Sequence, residues 1–222
     1  MSRVRLVALT QPILDEMPDA TAEAFIAYCA RVSNPANQSK HETAAKLVSY
    51  LVRNHHWSPF EMAHAVLEIE APRDIARQIL RHRSSSFQEF SQRYAEVVEP
   101  PVLRDARLQD AKNRQASIEV DDDALQAWWA HSQQAVTDEA ARVYQLALAK
   151  GIAKEVARVV LPEGLTPSKL YMAGSIRSWI HYVQLRTSAG TQLEHRLVAE
   201  RCRQRLLKAL PSLAEVLNAT EH

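Results

Sequence analysis

Residues 3–9, Arg-Val-Arg-Leu-Val-Ala-Leu, alternate polar and apolar positions, and a period of two predicts a strand at the start of the chain. The spacing then changes to helical. Ala22, Phe25, Ile26 and Cys29 mark one apolar stripe within 19–32, and Ala44, Leu47, Val48 and Leu51 mark another within 39–54, with Ser33-Asn34-Pro35 breaking the two apart. A polar-aromatic turn, His55 to His64, leads to alternation over 65–71, read as a strand. Pro72 opens a helix from Arg73 to about Arg83, with Ile75, Ala76, Ile79 and Leu80 as its stripe. Alternation over 87–98 predicts another strand, closed by Pro100-Pro101, and 102–120 carries no period and reads as a loop. Asp121-Asp122-Asp123 puts negative charge at the start of a long helix running to about Lys150, the favourable end for it. Gly151 interrupts it, and helix resumes over 153–160. A further helix is predicted from about Ser175 through Leu197, another ending near Leu210, and a short one after Pro211. Few strands and many helices, in mixed order and without a repeat, predict an α+β fold with a helix-rich C-terminal half. At 222 residues it is expected to be one domain, 1–222.

Composition narrows the chemistry. A net charge of +1 provides no global field for nucleic acid, so any anion site is local. Two cysteines without paired spacing argue against a disulfide scaffold and suit a reducing, cytoplasmic setting. The nine histidines form no metal-ligand pattern, so no metal is expected. No leader and no membrane span is expected either. Only four glycines are present, at 151, 164, 174 and 190. Neither a Rossmann fingerprint nor a P-loop can be written with them. If phosphates are bound, side chains must hold them, and arginine is suited to that.

Residues 81–94 concentrate the candidates: Arg81-His82-Arg83, three serines, then Phe87-Gln88-Glu89-Phe90-Ser91-Gln92-Arg93-Tyr94. On a regular helix Arg73, Arg77 and Arg81 would share one edge, and like charges at that spacing repel unless carboxylates or a ligand phosphate offset them. A solvated face bridged to Asp74 and Glu70 is an equally ordinary explanation. On a strand, Phe87, Glu89, Ser91 and Arg93 would share a face able to meet a polar ring and a phosphate together. Serines 84–86 add further donors.

Arg81-His82-Arg83, seven residues, then Ser91 resembles the signature of the flavin-dependent thymidylate synthases. His56-Trp57-Ser58-Pro59-Phe60-Glu61 is similar to that family's upstream flavin-contacting turn, and Arg73–Gln78 to the helix leading into the signature. Val156 to Pro162 and Arg177 to Arg186 are similar to its two C-terminal blocks. The resemblance implies an α+β fold with a mixed sheet flanked by helices, and an enzyme that methylates dUMP to dTMP. The implied carbon donor is methylenetetrahydrofolate, the implied reductant NADPH acting through FAD, and the implied assembly a homotetramer with active sites shared between subunits. It places Gln78, Arg81, Glu89, Phe90, Ser91, Gln92, Arg93, Arg158 and Arg186 at dUMP, with Arg186 as the catalytic group that activates the uracil ring. It places His56, Ser58, Arg81, His82, Arg83, Glu89, Ser175, Arg177 and His181 at FAD.

These residue types suit the chemistry: FAD and dUMP together carry three phosphate groups, and an arginine aimed at ring oxygens stabilises charge there without a covalent nucleophile. Ser91 is accordingly read as a ligand contact, since no base for it is identifiable. His181 and Arg186 would lie about 140° apart around a regular helix, which suits contact with different ligands. The competing reading is a nucleic-acid-binding module that uses Arg81–Arg93 on phosphates and Phe87, Phe90 and Tyr94 for stacking. The balanced charge weighs against it.

Overall fold

Two nine-residue strands organise the fold, one buried along most of its length and the other buried at alternate positions over most of its length. The computed structural model describes residues 2–219. In chain order the elements are β1 (Arg3–Leu9), α1 (Ala22–Ala30), α2 (Ala44–Arg53), β2 (His64–Pro72), α3 (Arg73–Ile79), β3 (Ser86–Glu89), β4 (Arg107–Gln109), β5 (Ser117–Glu119), α4 (Asp123–Ala149), α5 (Lys154–Ala157), β6 (Pro167–Ser175), α6 (Ile176–Thr187), α7 (Leu193–Ala209) and α8 (Ala214–Asn218). One sheet has the order β1-β2-β6-β3; β4 and β5 form a separate antiparallel pair with Leu108 opposite Ile118. The architecture is α+β, as the order of periods predicts.

By contact density the chain divides into two compact units. One comprises 70–81 and 88–170, the other 3–69, 82–87 and 171–219 among the described residues. In the second unit Ala65, Leu67 and Ile69 point inward from β2, and Met172 from β6. Trp179 is buried on α6 and its indole N–H donates to the Ala65 carbonyl at 3.0 Å, so the large ring enters the core with its polar atom satisfied. Glu68, 3% exposed on β2, accepts from Arg5 Nε at 2.8 Å and from the Tyr171 hydroxyl at 2.8 Å. Helix α1 is capped by the Thr21 hydroxyl, which accepts from Ala24 N–H, and α4 by Asp122, which accepts from Leu125 N–H. In the first unit Gln133 of α4, buried, bonds both backbone groups of Arg104, receiving its N–H at 2.9 Å and donating to its carbonyl at 2.8 Å.

Several predicted boundaries are corrected. The helix from Arg73 ends at Ile79 and not near 83, so Arg81 lies in a turn and does not continue a stripe of Arg73 and Arg77. The strand predicted over 87–98 is four residues long, and Ser91 and Arg93 belong to or flank the turn that follows. Tyr94 and Ala95 N–H both donate to the Ser91 carbonyl, a turn geometry incompatible with strand alternation. The loop over 102–120 contains the β4–β5 pair. Strand β6 is absent from the sequence reading, and the helix expected over 175–197 is two, separated at 188–192. Gly151, at φ 81°, sits in the left-handed region that ends α4.

Candidate active site

The first unit carries an arginine-lined recess of about 300 Å³. Helix α3 supplies Arg73 and Arg77, the turn after β3 supplies Gln92, and the segment from α5 onward supplies Glu155, Arg158, Glu163 and Thr166. Arg73 is 8% exposed; its Nη1 lies 3.5 Å from Glu89 Oε1 and its Nε 3.6 Å from Glu163. Arg77 Nε pairs with the same Glu163 oxygen at 3.0 Å, and Arg93 Nε lies 3.6 Å from Glu155. Arg158 Nε donates to the Glu155 backbone carbonyl at 3.3 Å, a contact that neutralises no charge. Four guanidinium groups thus face three carboxylates. Burial lowers the Arg73 pKa, Glu89 raises it, and the neighbouring Arg77 lowers it again. The two acidic residues suggested by the sequence for this role are elsewhere: Asp74 pairs with Arg104 at 2.5 Å and Glu70 with Lys169 at 3.0 Å.

Gln92 is the informative member. It is 4% exposed, and its Nε2 has no hydrogen-bond partner. A buried amide N–H₂ left unsatisfied costs roughly 1–3 kcal/mol, which an incoming acceptor would recover. Ser91 Oγ accepts from Arg93 N–H at 3.4 Å, a local contact that shapes the turn. Glu89 accepts from the Ser168 hydroxyl at 2.9 Å and so stands fixed beside Arg73. Gln78 lies on α3, while Arg81 and Phe90 are exposed.

The second unit carries another cavity, of about 580 Å³, lined among others by His55, Trp57, Glu61, Ser84, Arg177 and His181. Arg177 and His181 are one turn apart on α6, and Arg177 Nη1 pairs with Glu61 at 3.0 Å. Ser84 belongs to the serine run. The neighbouring Ser85 hydroxyl is buried without a partner, and it lies 3.0 Å from where a Cβ on Gly174 would stand. Glycine at 174 therefore permits the close approach of this loop to β6. Ser175 caps α6 by accepting from Ser178 N–H, and Ser178, not Ser175, lines the cavity. His55, which the sequence reading passed over, lines it too, held at φ 56°; His56 instead meets Tyr50 edge-on, with centroids 6.1 Å apart. Ser58 and Arg83 are exposed.

His82 and Arg186 come together in the same unit. Arg186 Nε donates to His82 Nε2 at 2.9 Å. His82 is 8% exposed, edge-on to Tyr182 at 4.8 Å and to His195 at 6.4 Å. Burial, and then the charges of Arg186 and His181, push the His82 pKa down to about 4; burial, then Arg186 and His82, push His195 to about 3. Both imidazoles are neutral at neutral pH. Among the described residues, no cluster of three or more His, Cys, Asp or Glu could hold a metal ion, and no helix is long and apolar enough to cross a membrane.

The family described as thymidylate synthase complementing protein matches residues 13–212. A probable flavin-dependent thymidylate synthase of Paramecium bursaria Chlorella virus 1 is 49% identical over 214 residues, covering 96% of this chain and 98% of the relative. The flavin-dependent thymidylate synthase of Synechocystis is 47% identical over 216 residues, with the same coverage of 96% and 98%. A crystal structure of a UMP/dUMP methylase from Streptomyces cacaoi, bound with 5-Br dUMP, superposes with a TM-score of 0.82 at 29% identity, covering 99% of this chain and 96% of that one. With relatives this similar along almost its whole length, the chain belongs to the flavin-dependent thymidylate synthase family.

Proposed function

We propose that this chain, acting over 1–222 as one catalytic domain, converts dUMP to dTMP, taking its carbon from methylenetetrahydrofolate and its electrons from NADPH through FAD. The observation that carries the reading is Gln92: a buried amide donor without a partner, opening on a recess where guanidinium groups outnumber carboxylates. A nucleoside monophosphate supplies what that recess lacks, carbonyl acceptors for the amide and negative charge for Arg158, Arg77 and Arg73. Gln78, Arg81, Glu89, Phe90, Ser91 and Arg93 complete the dUMP set in this proposal.

The cavity in the second unit fits a flavin dinucleotide by the chemistry of its lining. Trp57 offers a flat apolar face, Arg177 a phosphate partner, and the Ser84–Ser86 loop includes the unsatisfied Ser85 hydroxyl. Arg177, His181, His82 and Arg83, with Ser58 and His56 from the upstream turn, would hold it; Arg81 and Glu89 belong to the same proposal, and Ser175 serves it through the α6 cap. Bound there, FAD would supply hydride for reduction of the transferred carbon. Arg186 places positive charge against the uracil ring and stabilises the charge that develops as carbon 5 becomes nucleophilic, an effect worth several kcal/mol when the group is preorganised. No enzyme nucleophile is required, which agrees with Ser91 having its hydroxyl oxygen on a backbone N–H. A homotetramer in the cytoplasm, with sites assembled from several subunits, completes the proposal.

The test is formation of dTMP from dUMP by purified protein with FAD, NADPH and methylenetetrahydrofolate, alongside Arg186→Ala. The wild type should turn over, and the variant should retain yellow, bound flavin while losing dTMP formation. Loss of flavin together with activity would place Arg186 at the other ligand. Salt-sensitive DNA binding by a colourless protein would restore the nucleic-acid reading.

A further inference from the structure

Most guanidinium groups around the two recesses meet a carboxylate: Arg73 meets Glu89 and Glu163, Arg77 meets Glu163, Arg93 meets Glu155, and Arg177 meets Glu61. Arg186 does not; its Nε hydrogen bond goes to an imidazole. We infer that His82 is the positioning residue for Arg186, an uncharged acceptor that fixes the guanidinium and leaves its positive charge uncompensated. The inference rests on the proposed role of Arg186 toward the uracil ring.

An arginine side chain has about 2 kcal/mol of rotamer entropy, so one that must be preorganised needs an anchor. A carboxylate is the usual anchor, but it would place a negative charge within about 4 Å, and at an effective dielectric of 20 that offsets about 4 kcal/mol of what the cation could offer a ligand. A neutral imidazole anchors without this cost. It can accept at Nε2 only with its proton on Nδ1. The surroundings enforce the neutral form: the ring is buried, and a second cation 2.9 Å from Arg186 would be repelled. They also fix the ring plane, since Tyr182 lies edge-on to it and is itself held edge-on by Trp179, centroids 5.6 Å apart. Trp179, Tyr182 and Arg186 all belong to α6, so one helix carries both the guanidinium and the rings that orient its acceptor.

Three holoenzyme variants separate the roles. His82→Gln retains a neutral acceptor, His82→Glu retains an acceptor and adds charge, and His82→Leu removes the acceptor. Turnover of dUMP, dUMP affinity by calorimetry and flavin absorbance are measured for each. The Gln variant should keep kcat within about tenfold of wild type. The Leu and Glu variants should each lose about 100-fold or more in kcat, the range seen when a preorganised electrostatic donor is disabled, with smaller changes in KM for dUMP. Flavin affinity should weaken alike in all three, because His82 also belongs to the proposed flavin set, so kcat is read at saturating FAD. A Glu variant as active as the Gln variant would overturn the charge argument, and this pair decides the matter even if the Leu variant does not fold. Equal kcat losses in the Gln and Leu variants at saturating FAD would make His82 a flavin contact alone and end the positioning role. Nitrogen-15 NMR of the His82 ring reads the tautomer independently of turnover; a protonated Nε2 near neutral pH would overturn the inference even in a protein that makes no dTMP, whereas a wild type without turnover but with an unprotonated Nε2 would sink only the proposed function.

Discussion

Acidification should destabilise the second unit at pH values where ordinary carboxylates are still ionised. His82 and His195 are held neutral in the fold, with pKa values of about 4 and about 3, against 6.5 for an unperturbed imidazole. The groups facing them are Arg186, His181 and Tyr182, and the effect of the arginine on both rings is to disfavour a further positive charge. The unfolded chain therefore takes up protons first. Stability is fully present above about pH 6.5 and is lost as pH falls toward the folded values. At pH 5 the folded rings are still largely neutral while the unfolded ones are charged, and each contributes a loss of about 2 kcal/mol relative to pH 8. Two rings in a chain of this size correspond to a fall in Tm of roughly 10 °C. Thermal unfolding followed by circular dichroism at pH 8 and pH 5 measures it. In His195→Gln the fall should be about half that of the wild type, and His82→Gln serves if the first variant is poorly folded. Equal falls in the wild type and both variants would refute the reasoning, because the loss would then lie with other groups.

Gln92→Leu should weaken dUMP binding about tenfold, the value of a hydrogen bond or two, while the ligand-free protein is as stable as wild type or slightly more so; calorimetry and a melting curve check both. Ser91→Ala should raise KM for dUMP and retain measurable turnover, because its hydroxyl oxygen accepts from the backbone N–H of Arg93; a dead enzyme with intact dUMP affinity would make it a nucleophile. Glu68→Ala should cost about 2 kcal/mol in urea unfolding, since it removes the hydrogen bonds that Arg5 and the Tyr171 hydroxyl donate to a buried carboxylate.

The elements legible in the sequence are those with a clean period and a cap. The alternation of 3–9 and 65–71, the stripe of α2, and Asp122 ahead of α4 each specified their element locally. Strand β6 was missed because Pro167 to Ser175 contains no β-branched residue, although Leu170 and Met172 do keep a period of two. The helical period expected over 175–197 does not show its break, because Ser188 to Gln192 is a short local turn: Thr191 N–H donates to the Ser188 carbonyl and its hydroxyl to that of Leu185. In the arginine-lined recess, residue types were legible and partners were not. Arg73 and Arg77 were visible as clustered charge, but Glu163 is 86 residues from Arg77 and no local pattern couples them. His55 lines the other cavity at φ 56°, a backbone conformation that side-chain spacing does not encode.

The scarcity of glycine and the abundance of unevenly paired arginine follow from one constraint. A glycine loop binds phosphate with backbone N–H groups, whose partial charges need no neutralisation when the ligand leaves. Side-chain guanidinium groups are full charges, and a ligand-free site must hold them apart or pair them internally. In the first unit the pairing is partial: Glu163 is shared between Arg73 and Arg77, and Arg158 is left on a backbone carbonyl. Shared and incomplete pairing keeps the cost of apo burial low while leaving charge that an anionic ligand can claim. In the second unit the same problem is met with a neutral base, since Arg186 is held by His82 without loss of charge. Replacing Glu163 by Gln should therefore raise the affinity of the first recess for phosphate-bearing ligands and lower the stability of the free protein, two opposite shifts from one substitution. Parallel shifts, measured by calorimetry and by urea unfolding, would mean that Glu163 contacts the ligand itself and is not the internal counterion of the arginines.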